Sequence, residues 1–574
     1  MKKGSKIGLL AITTGFLLVG CGNGGGSEGY ITVDPESVDV YGGDSKYAPD
    51  KSKIKQYSGE ITVALDFENT LPGWKEVAKE YSRLQSGKVT FTFKDELAGA
   101  TYQTAFSQQL DIAATSDWDI VQGNLAGSKA DQGLINVASF GSDKNPYCNN
   151  ANWSNVLSDI AFKNVESGRT DQVYIINSEN MQSCWFINDT AFKAAVEQGY
   201  VNSKGEAKYP VVWDDLINLC SYMEKAGYTN PLGISLADNS IRSSQFSWLL
   251  RVYGDYFYRH AYRYTTAYDQ EWAKYDPEEP DVEDIDGYAV KYGAVANFMF
   301  DEDTKYSTSA QEGVTWQHNG LGYIGPGSEL YQDFITQIAK IKGHLMKDAD
   351  QKELKEVRSA FNSQSSGKES PQILLDYLGN GLNYFKSDKI DCSYFDYPTM
   401  KSEKIPHDSD KEITRDIGGN GGFLSLMKHS DSTQNALNKD FLMFFLSPYG
   451  QYFFYKGLDE GNGSPTGEST VTSKFKISDQ WSDFWEKAEE SGITFNGNVD
   501  GNPFIEWGVR YFKSMENTES KIKELWQGLI VTGKTTISSF QTDWKKAMKD
   551  DWLLFASHEG WSKTAYEESE MRQY

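Results

Sequence analysis

Between Ile61 and Val121 the spacing of apolar residues switches between two repeats, and no other feature of the chain narrows its architecture as much. Ile61-Thr62-Val63-Ala64-Leu65 is an apolar run of strand length, and Val89-Thr90-Phe91-Thr92-Phe93 alternates with the two-residue period of a half-buried strand. Between them Trp74, Val77, Ala78, Tyr81 and Leu84 recur at helical spacing. A second helix is predicted over Tyr102 to Ala114, followed by Trp118-Asp119-Ile120-Val121 as a third strand. Strands that alternate with helices predict an α/β fold with a mostly parallel sheet, because parallel neighbours need a crossover. Ligands of such sheets meet the carboxyl ends of the strands.

Upstream of this body, Lys2, Lys3 and Lys6 precede an apolar run from Ile7 to Val19 that ends at Gly20-Cys21. This is the layout of a secretory signal, and the run is too short for a permanent span. Gly20-Cys21 resembles the lipobox of bacterial lipoproteins, which implies that residues 1–20 are a signal peptide and that Cys21 carries the lipid, palmitate included. An uncleaved N-terminal anchor with an incidental cysteine is the alternative. The glycine-rich residues 22–29 and the polar residues 34–55 make 21–57 a flexible tether. The expected location is the extracellular face of the cell membrane, held by lipid.

Loss of the three signal lysines takes the formal charge from -25 to -28, which argues against nucleic acid as a partner. An aromatic content of 14% argues against disorder, and 574 residues call for more than one lobe. Cys148, Cys184, Cys220 and Cys392 are too scattered for a disulfide framework or for the close pairs of zinc sites, and read as small buried residues. No later stretch approaches the roughly 18 apolar residues of a membrane span.

Asp119-Ile120-Val121 followed by Gly133-Leu134-Ile135 resembles the first lobe of extracellular solute-binding proteins of the maltose-binding type. Further matches follow in the family's order. Tyr174 to Asp189, with Phe186-Ile187-Asn188-Asp189, resembles the strand that crosses between lobes, although only an aromatic and the aspartate are kept. Pro210-Val211-Val212-Trp213-Asp214-Asp215-Leu216 is similar to the family's helix start, with Val212 for a threonine and Asp215 for a glutamate. Gly418 to Lys428, a helix from Asn435 to Leu446, and Ser447-Pro448-Tyr449-Gly450-Gln451 resemble the return to the first lobe. The resemblance covers most of residues 58–550 and implies a two-lobed periplasmic-binding-protein-like fold with a hinge and a ligand cleft between the lobes. Lobe 1 is expected at 58–180 and 400–456, lobe 2 at 181–399 and 457–574, enlarged at 251–330.

Two other motifs compete with this reading. Gly528 to Thr535 (GLIVTGKT) fits the phosphate-loop pattern letter for letter, but that loop needs a preceding buried strand, and Lys521 to Gln527 is charged and helical in pattern. A helix end and turn before an amphipathic helix containing Phe540, Trp544 and Met548 is expected instead. The acidic run from Asp276 to Gly287 fails the EF-hand pattern, since Val282 takes the first ligand position and Gly293 the last, and it reads as a solvated loop with a looser calcium site left open. The six histidines show no metal spacing, so no metal and no cofactor is expected. A secreted glycoside hydrolase would need two carboxyl groups flanking the scissile bond, and composition alone does not test that.

The resemblance implies carbohydrate binding, with an oligosaccharide as the expected ligand, and delivery to the permease subunits of an ABC importer by a monomer that catalyses nothing. A polyhydroxylated ligand needs aromatic faces and bidentate acids or amides, because an unmatched buried polar group costs about 1–3 kcal/mol. On the family's pattern, Asp66, Phe67, Glu68 and Asn69 follow the first strand, Gln122 and Asn124 follow the third, and Glu179, Asn180 and Gln182 lie on the crossing strand. The second lobe adds Gln245, Phe246, Trp248, Tyr377, Asn380 and Asn420, with Trp316 as a stacking platform in the enlargement. Trp74 and Trp213 are assigned to packing, and Trp118 to either role. A glycan-adhesion or sensor lipoprotein, or a binder of peptides or polyamines, remains open on the same fold.

Overall fold

The computed structural model describes residues 48–66, 70–97, 99–123, 133–158, 161–162, 173–237, 245–272, 299, 324–400, 402, 414–461, 463–465, 467–471, 484, 509 and 516–558. The chain divides into two units, one of Met1–Val156, Leu424–Gly461 and Ser473–Phe475, the other of Leu157–Phe423, Asn462–Thr472 and Lys476–Tyr574.

The first unit opens with β1 (Gly59–Ala64), α1 (Leu71–Leu84), β2 (Val89–Lys94), α2 (Gly99–Asp111) and β3 (Ile120–Gln122). Both β2 and β3 pair parallel to β1, with Gly59 opposite Val89 and Val63 opposite Ile120. Ile61, Val63, Ala64 and Leu65 are fully buried, and α1 turns Trp74, Val77, Ala78 and Tyr81 to the core as one stripe. The second helix stops at Asp111, short of the predicted Ala114, where a 3-10 turn covers Ala113–Thr115. Trp118 is buried and stacks on Tyr102 with centroids 5.6 Å apart. Residues 48–57 of the stretch read as tether are held to this unit: Asp50 N donates to Pro146 O at 2.8 Å, Asn149 N to Ala48 O at 2.7 Å, and Tyr57 N to Gln85 Oε1 at 2.8 Å.

The second unit is built on β4 (Ile176–Asn188), followed by α3 (Asp189–Glu197), α4 (Trp213–Lys225), β5 (Leu232–Gly233), α5 (Gln245–Trp272), α6 (Glu329–Ala339), α7 (Leu354–Ser363), β6 (Ile373–Tyr377) and β7 (Cys392–Phe395). Ser183 to Asn188 of β4 are all buried, as a central strand requires, because β6 pairs with it (Ser183 opposite Tyr377) and so does β7 (Trp185 opposite Phe395), both antiparallel. β5 runs parallel to β6. Asn188 caps α3 by accepting from Thr190 N at 3.0 Å. At the start of α4, Asp215 reaches back to accept from Val211 N and Val212 N at 3.0 and 3.1 Å, which satisfies amides that the helix leaves open. Trp213 is buried there and donates Nε1–H to Gln337 O at 2.7 Å. Of the expected enlargement, residues 251–272 continue α5, and Trp316 and the acidic run from Asp276 to Gly287 lie outside the described residues.

The chain passes back through β8 (Gly418–Leu426), whose end pairs antiparallel with β3 in the first unit, Leu424 opposite Gln122. That unit's sheet is therefore mixed. Two helices complete it, α8 (Ser432–Phe445) and α9 (Pro448–Glu460), the latter capped by Ser447, which accepts from Gly450 N at 3.1 Å. α9 packs on α1 at glycine distance: a Cβ at Gly457 would lie 2.6 Å from Pro72 O, and one at Gly73 would lie 2.6 Å from Phe454 O. Trp74 stacks on Phe445 at 4.5 Å. Asp119, almost fully buried, accepts from Thr62 N at 2.7 Å and from Gln434 Nε2 and Asn438 Nδ2 at 2.9 Å each, which ties β1, β3 and α8 together.

In the second unit β9 (Gly467–Ser469) pairs antiparallel with Glu179–Met181 of β4, and two helices end the described chain, α10 (Glu516–Trp526) and α11 (Ile537–His558). The phosphate-loop letters follow α10, a helix, where the chain makes a π-helical turn over Gln527–Thr532 that stops at left-handed Gly533. Lys534 is exposed there, and Phe540, Trp544 and Met548 are fully buried. Among the described residues no helix is long and apolar enough to cross a membrane.

Candidate functional site

In the first unit the carboxyl ends of β1 and β3 bring Asp66 and Gln122 to one edge of the sheet. Gln122 is buried and its Oε1 accepts from Thr70 Oγ1 at 3.2 Å, while Asp66 Oδ2 accepts from Gln103 Nε2 at 3.3 Å. Gly123 next to them has a φ of +136°, with the Tyr102 ring 3.3 Å from where a Cβ would stand. Tyr102 donates to Ala64 O at 3.1 Å, and burial first, then the Asp66 charge, keeps its hydroxyl protonated. Phe67, Glu68, Asn69 and Asn124 lie outside the described residues.

The second unit gathers more of the sequence candidates. Tyr377 ends β6, half-buried, with its ring centroid 4.5 Å from that of Trp248. Asn380 follows one turn later, also half-buried; its Nδ2 donates to Asp376 Oδ1 at 3.1 Å and its Oδ1 accepts from Ser464 Oγ at 3.0 Å. Three residues beyond Ser464, Gly467 N donates to Oε2 of the buried Glu179 at 3.2 Å. Asn180 lies opposite Glu468 of β9, and the side-chain nitrogen of Gln182 is buried without a hydrogen-bond partner among the described residues.

The first turn of α5 turns Gln245 and Phe246 inward. Gln245 is fully buried, donating to Leu375 O at 2.5 Å and accepting from Ser235 N at 2.7 Å. Phe246 is buried edge-on to Trp526 at 5.1 Å, and Trp248 is 6% exposed beneath Tyr377. Asn420 stands on β8, and its side chain, like Cys21, lies outside the described residues. Asp376, Arg358 and Ser464 were not singled out by sequence reasoning. An acid closing the apolar run Ile373-Leu374-Leu375 is the one signal that could have drawn attention to Asp376, since a buried carboxylate must be paired.

Cys148, Cys184 and Cys220 are buried, and burial pushes each thiol up. Among the described residues no group of three His, Cys, Asp or Glu side chains is placed to hold a metal ion. What the second unit offers is an aromatic ring at a strand end and, one turn further along the chain, an oriented amide, groups that suit C–H surfaces and hydroxyls respectively.

No family model and no curated protein matches the sequence. Solved structures do. The chain is similar to SBP RafE in complex with raffinose, at 12% identity and a TM-score of 0.51, over 86% of this chain and 100% of that one. It is similar to a chitin oligosaccharide binding protein at 11% identity and a TM-score of 0.52, over 86% and 98%. A third match, from work on xylan utilization by the thermophilic bacterium Caldanaerobius polysaccharolyticus, has 14% identity and a TM-score of 0.51 over 85% and 99%. Likeness at these identities shows the fold, which is the two-lobed α/β fold of solute-binding proteins.

Proposed function

We propose that this protein is a carbohydrate-binding lipoprotein of the extracellular membrane face, which takes up an oligosaccharide without chemistry and hands it to the permease subunits of an ABC importer. The observation that carries the reading is the pair formed by the Tyr377 ring and the Asn380 amide at the carboxyl end of β6, in a fold whose solved relatives include SBP RafE in complex with raffinose and a chitin oligosaccharide binding protein. An oligosaccharide presents alternating apolar and hydroxyl faces, and such a pair meets both. Gln122 at the end of β3 and Glu179, Gln182 and Trp248 in the second unit complete the proposed set, together with Glu68, Asn69, Asn124, Trp316 and Asn420 from the sequence reading, whereas Phe246, buried against Trp526, serves packing.

Cys21 is the proposed lipid attachment, which keeps a monomeric capture domain near its importer. The reading is tested by a thermal-shift screen of residues 48–574 against mono- and oligosaccharides, with chromatography of each ligand afterwards. A sugar at 100 times its Kd adds about 2.7 kcal/mol of stability. Stabilisation with the sugar recovered intact is expected. Cleavage would make the protein a hydrolase, and silence across all sugars would overturn the carbohydrate reading.

A further inference from the structure

Behind Tyr377 and Asn380 lies a hydrogen-bond network centred on Asp376, whose side chain is fully buried. Its carboxylate accepts from Arg358 side-on, Nε at 2.8 Å to Oδ2 and Nη2 at 2.6 Å to Oδ1. It also accepts from Tyr384 Oη at 2.5 Å, Tyr377 N at 2.8 Å and Asn380 Nδ2 at 3.1 Å. Burial first, then the Asp376 charge, holds the Tyr384 hydroxyl protonated, so it remains a donor.

A carboxylate only accepts, and an amide has one donor end and one acceptor end. The nitrogen of Asn380 must therefore face Asp376, and its oxygen faces Ser464, whose hydroxyl donates at 3.0 Å. Each end of the amide is engaged once, which leaves one N–H and one oxygen lone pair with fixed directions. We infer that Asn380 is a preoriented recognition amide, with Asp376, clamped by Arg358, and Ser464 as the positioning residues that decide which way it presents its donor and its acceptor. This rests on the carbohydrate reading of the site. A sugar hydroxyl both donates and accepts, so an amide of fixed sense selects one hydroxyl geometry, and it does so without paying to freeze a rotor on binding. Because Ser464 and Gly467 belong to one short segment, the chain that fixes Asn380 also donates to Glu179.

The test is a double-mutant cycle on the sugar found by the screen, read by calorimetric Kd and by Tm. Ser464→Ala is expected to weaken binding about threefold to tenfold, the range of one hydrogen bond, with Tm nearly unchanged. Ser464→Thr, which keeps the hydroxyl, is expected to restore affinity. Asn380→Ala should weaken binding about tenfold, and the double variant S464A/N380A should bind no more weakly than N380A, because Ser464 acts through Asn380. S464A is also expected to lose discrimination between the sugar and its deoxy analogue, which a merely structural serine would not change. Asp376→Asn, which sets a donor against a donor, should cost at least about tenfold; if it fails to fold, the serine cycle still decides. Additive losses in S464A/N380A, or unchanged discrimination in S464A, overturn the inference while leaving carbohydrate binding intact. A parent protein that binds no sugar sinks both readings together.

Discussion

Asp396 and Asp416 are neighbouring acids in the second unit, Asp416 fully buried and Asp396 accepting from Tyr397 N at 2.7 Å. Burial raises Asp396 to about 6, against which the Tyr397 amide, donating to its carboxylate, favours the charge. Tyr397, Tyr253 and Cys184 face the pair, and each of these is itself raised first by burial. Arg415, next to Asp416 in the chain, is committed to Asp255, donating from Nε at 2.8 Å. No cation is therefore spare to neutralise the pair from that position.

The sign of the resulting pH dependence follows from linkage. The folded chain keeps the Asp396 proton up to about 6, whereas the unfolded chain releases it near the ordinary 3.8. Between those values the folded state binds more protons, so stability from this group is full at the acid end and falls as pH rises through the window. Asp396→Asn removes the titration. Its Tm should exceed the parent's by a few degrees above pH 6 and approach it toward pH 4, as measured by melting curves across that range. A constant difference between parent and variant at every pH would show that Asp396 does not titrate within this window.

How much of this was legible in the sequence depends on whether the signal is local. The stripe Trp74, Val77, Ala78, Tyr81 and the run Ile61 to Leu65 are written in a fixed repeat, and the structure has them as α1 and β1. Tyr377 and Asn380 were reachable only through the family resemblance, which implies cleft candidates there. The clamp behind them was not: Arg358 and Asp376 stand 18 residues apart on α7 and β6, and they meet only once helix and strand have packed. The inward turn of Phe246 was hidden for a related reason. Gln245-Phe246-Ser247-Trp248 has no repeat of its own, and only the 28-residue helix that it opens sets which side chain faces Trp526.

The contact between α1 and α9 yields a second expectation. Gly457 sits inside α9, where alanine would ordinarily gain about 1 kcal/mol of helix propensity. Here a Cβ would meet Pro72 O at 2.6 Å, which is backbone and cannot rotate away. Gly457→Ala should therefore be net destabilising, by about 1–3 kcal/mol, because the two helices must part. Denaturant unfolding checks this, and a variant as stable as the parent would mean that the helices separate at no cost.

The phosphate-loop letters at Gly528 to Thr535 lead to a prediction of indifference. The segment follows a helix, its amides are spent in a π-helical turn, and Lys534 is exposed. Thr535 N donates to Gly528 O at 3.1 Å, closing the turn on itself. Magnesium with ATP should leave Tm unchanged, and Lys534→Ala should alter neither Tm nor sugar affinity. Nucleotide stabilisation that disappears in K534A would force a different reading of this end of the chain.

Tyr377 separates stacking from hydrogen bonding at the proposed site. Its ring lies 4.5 Å from that of Trp248, tilted by 45°, and it is the more exposed of the two. If the ring face carries recognition, Tyr377→Phe should bind sugar within about threefold of the parent, since the face survives. Tyr377→Ala should bind about 10 to 100 times more weakly, because contact area and the stacking increment are lost together. The alanine variant also uncovers Trp248, so its tryptophan fluorescence should become accessible to a soluble quencher, which reports the vacancy independently of ligand. Equal losses for phenylalanine and alanine would instead assign the interaction to the hydroxyl. No loss in either would move the recognition surface away from the end of β6, while leaving the fold and the sugar-binding reading to be judged by the other candidates.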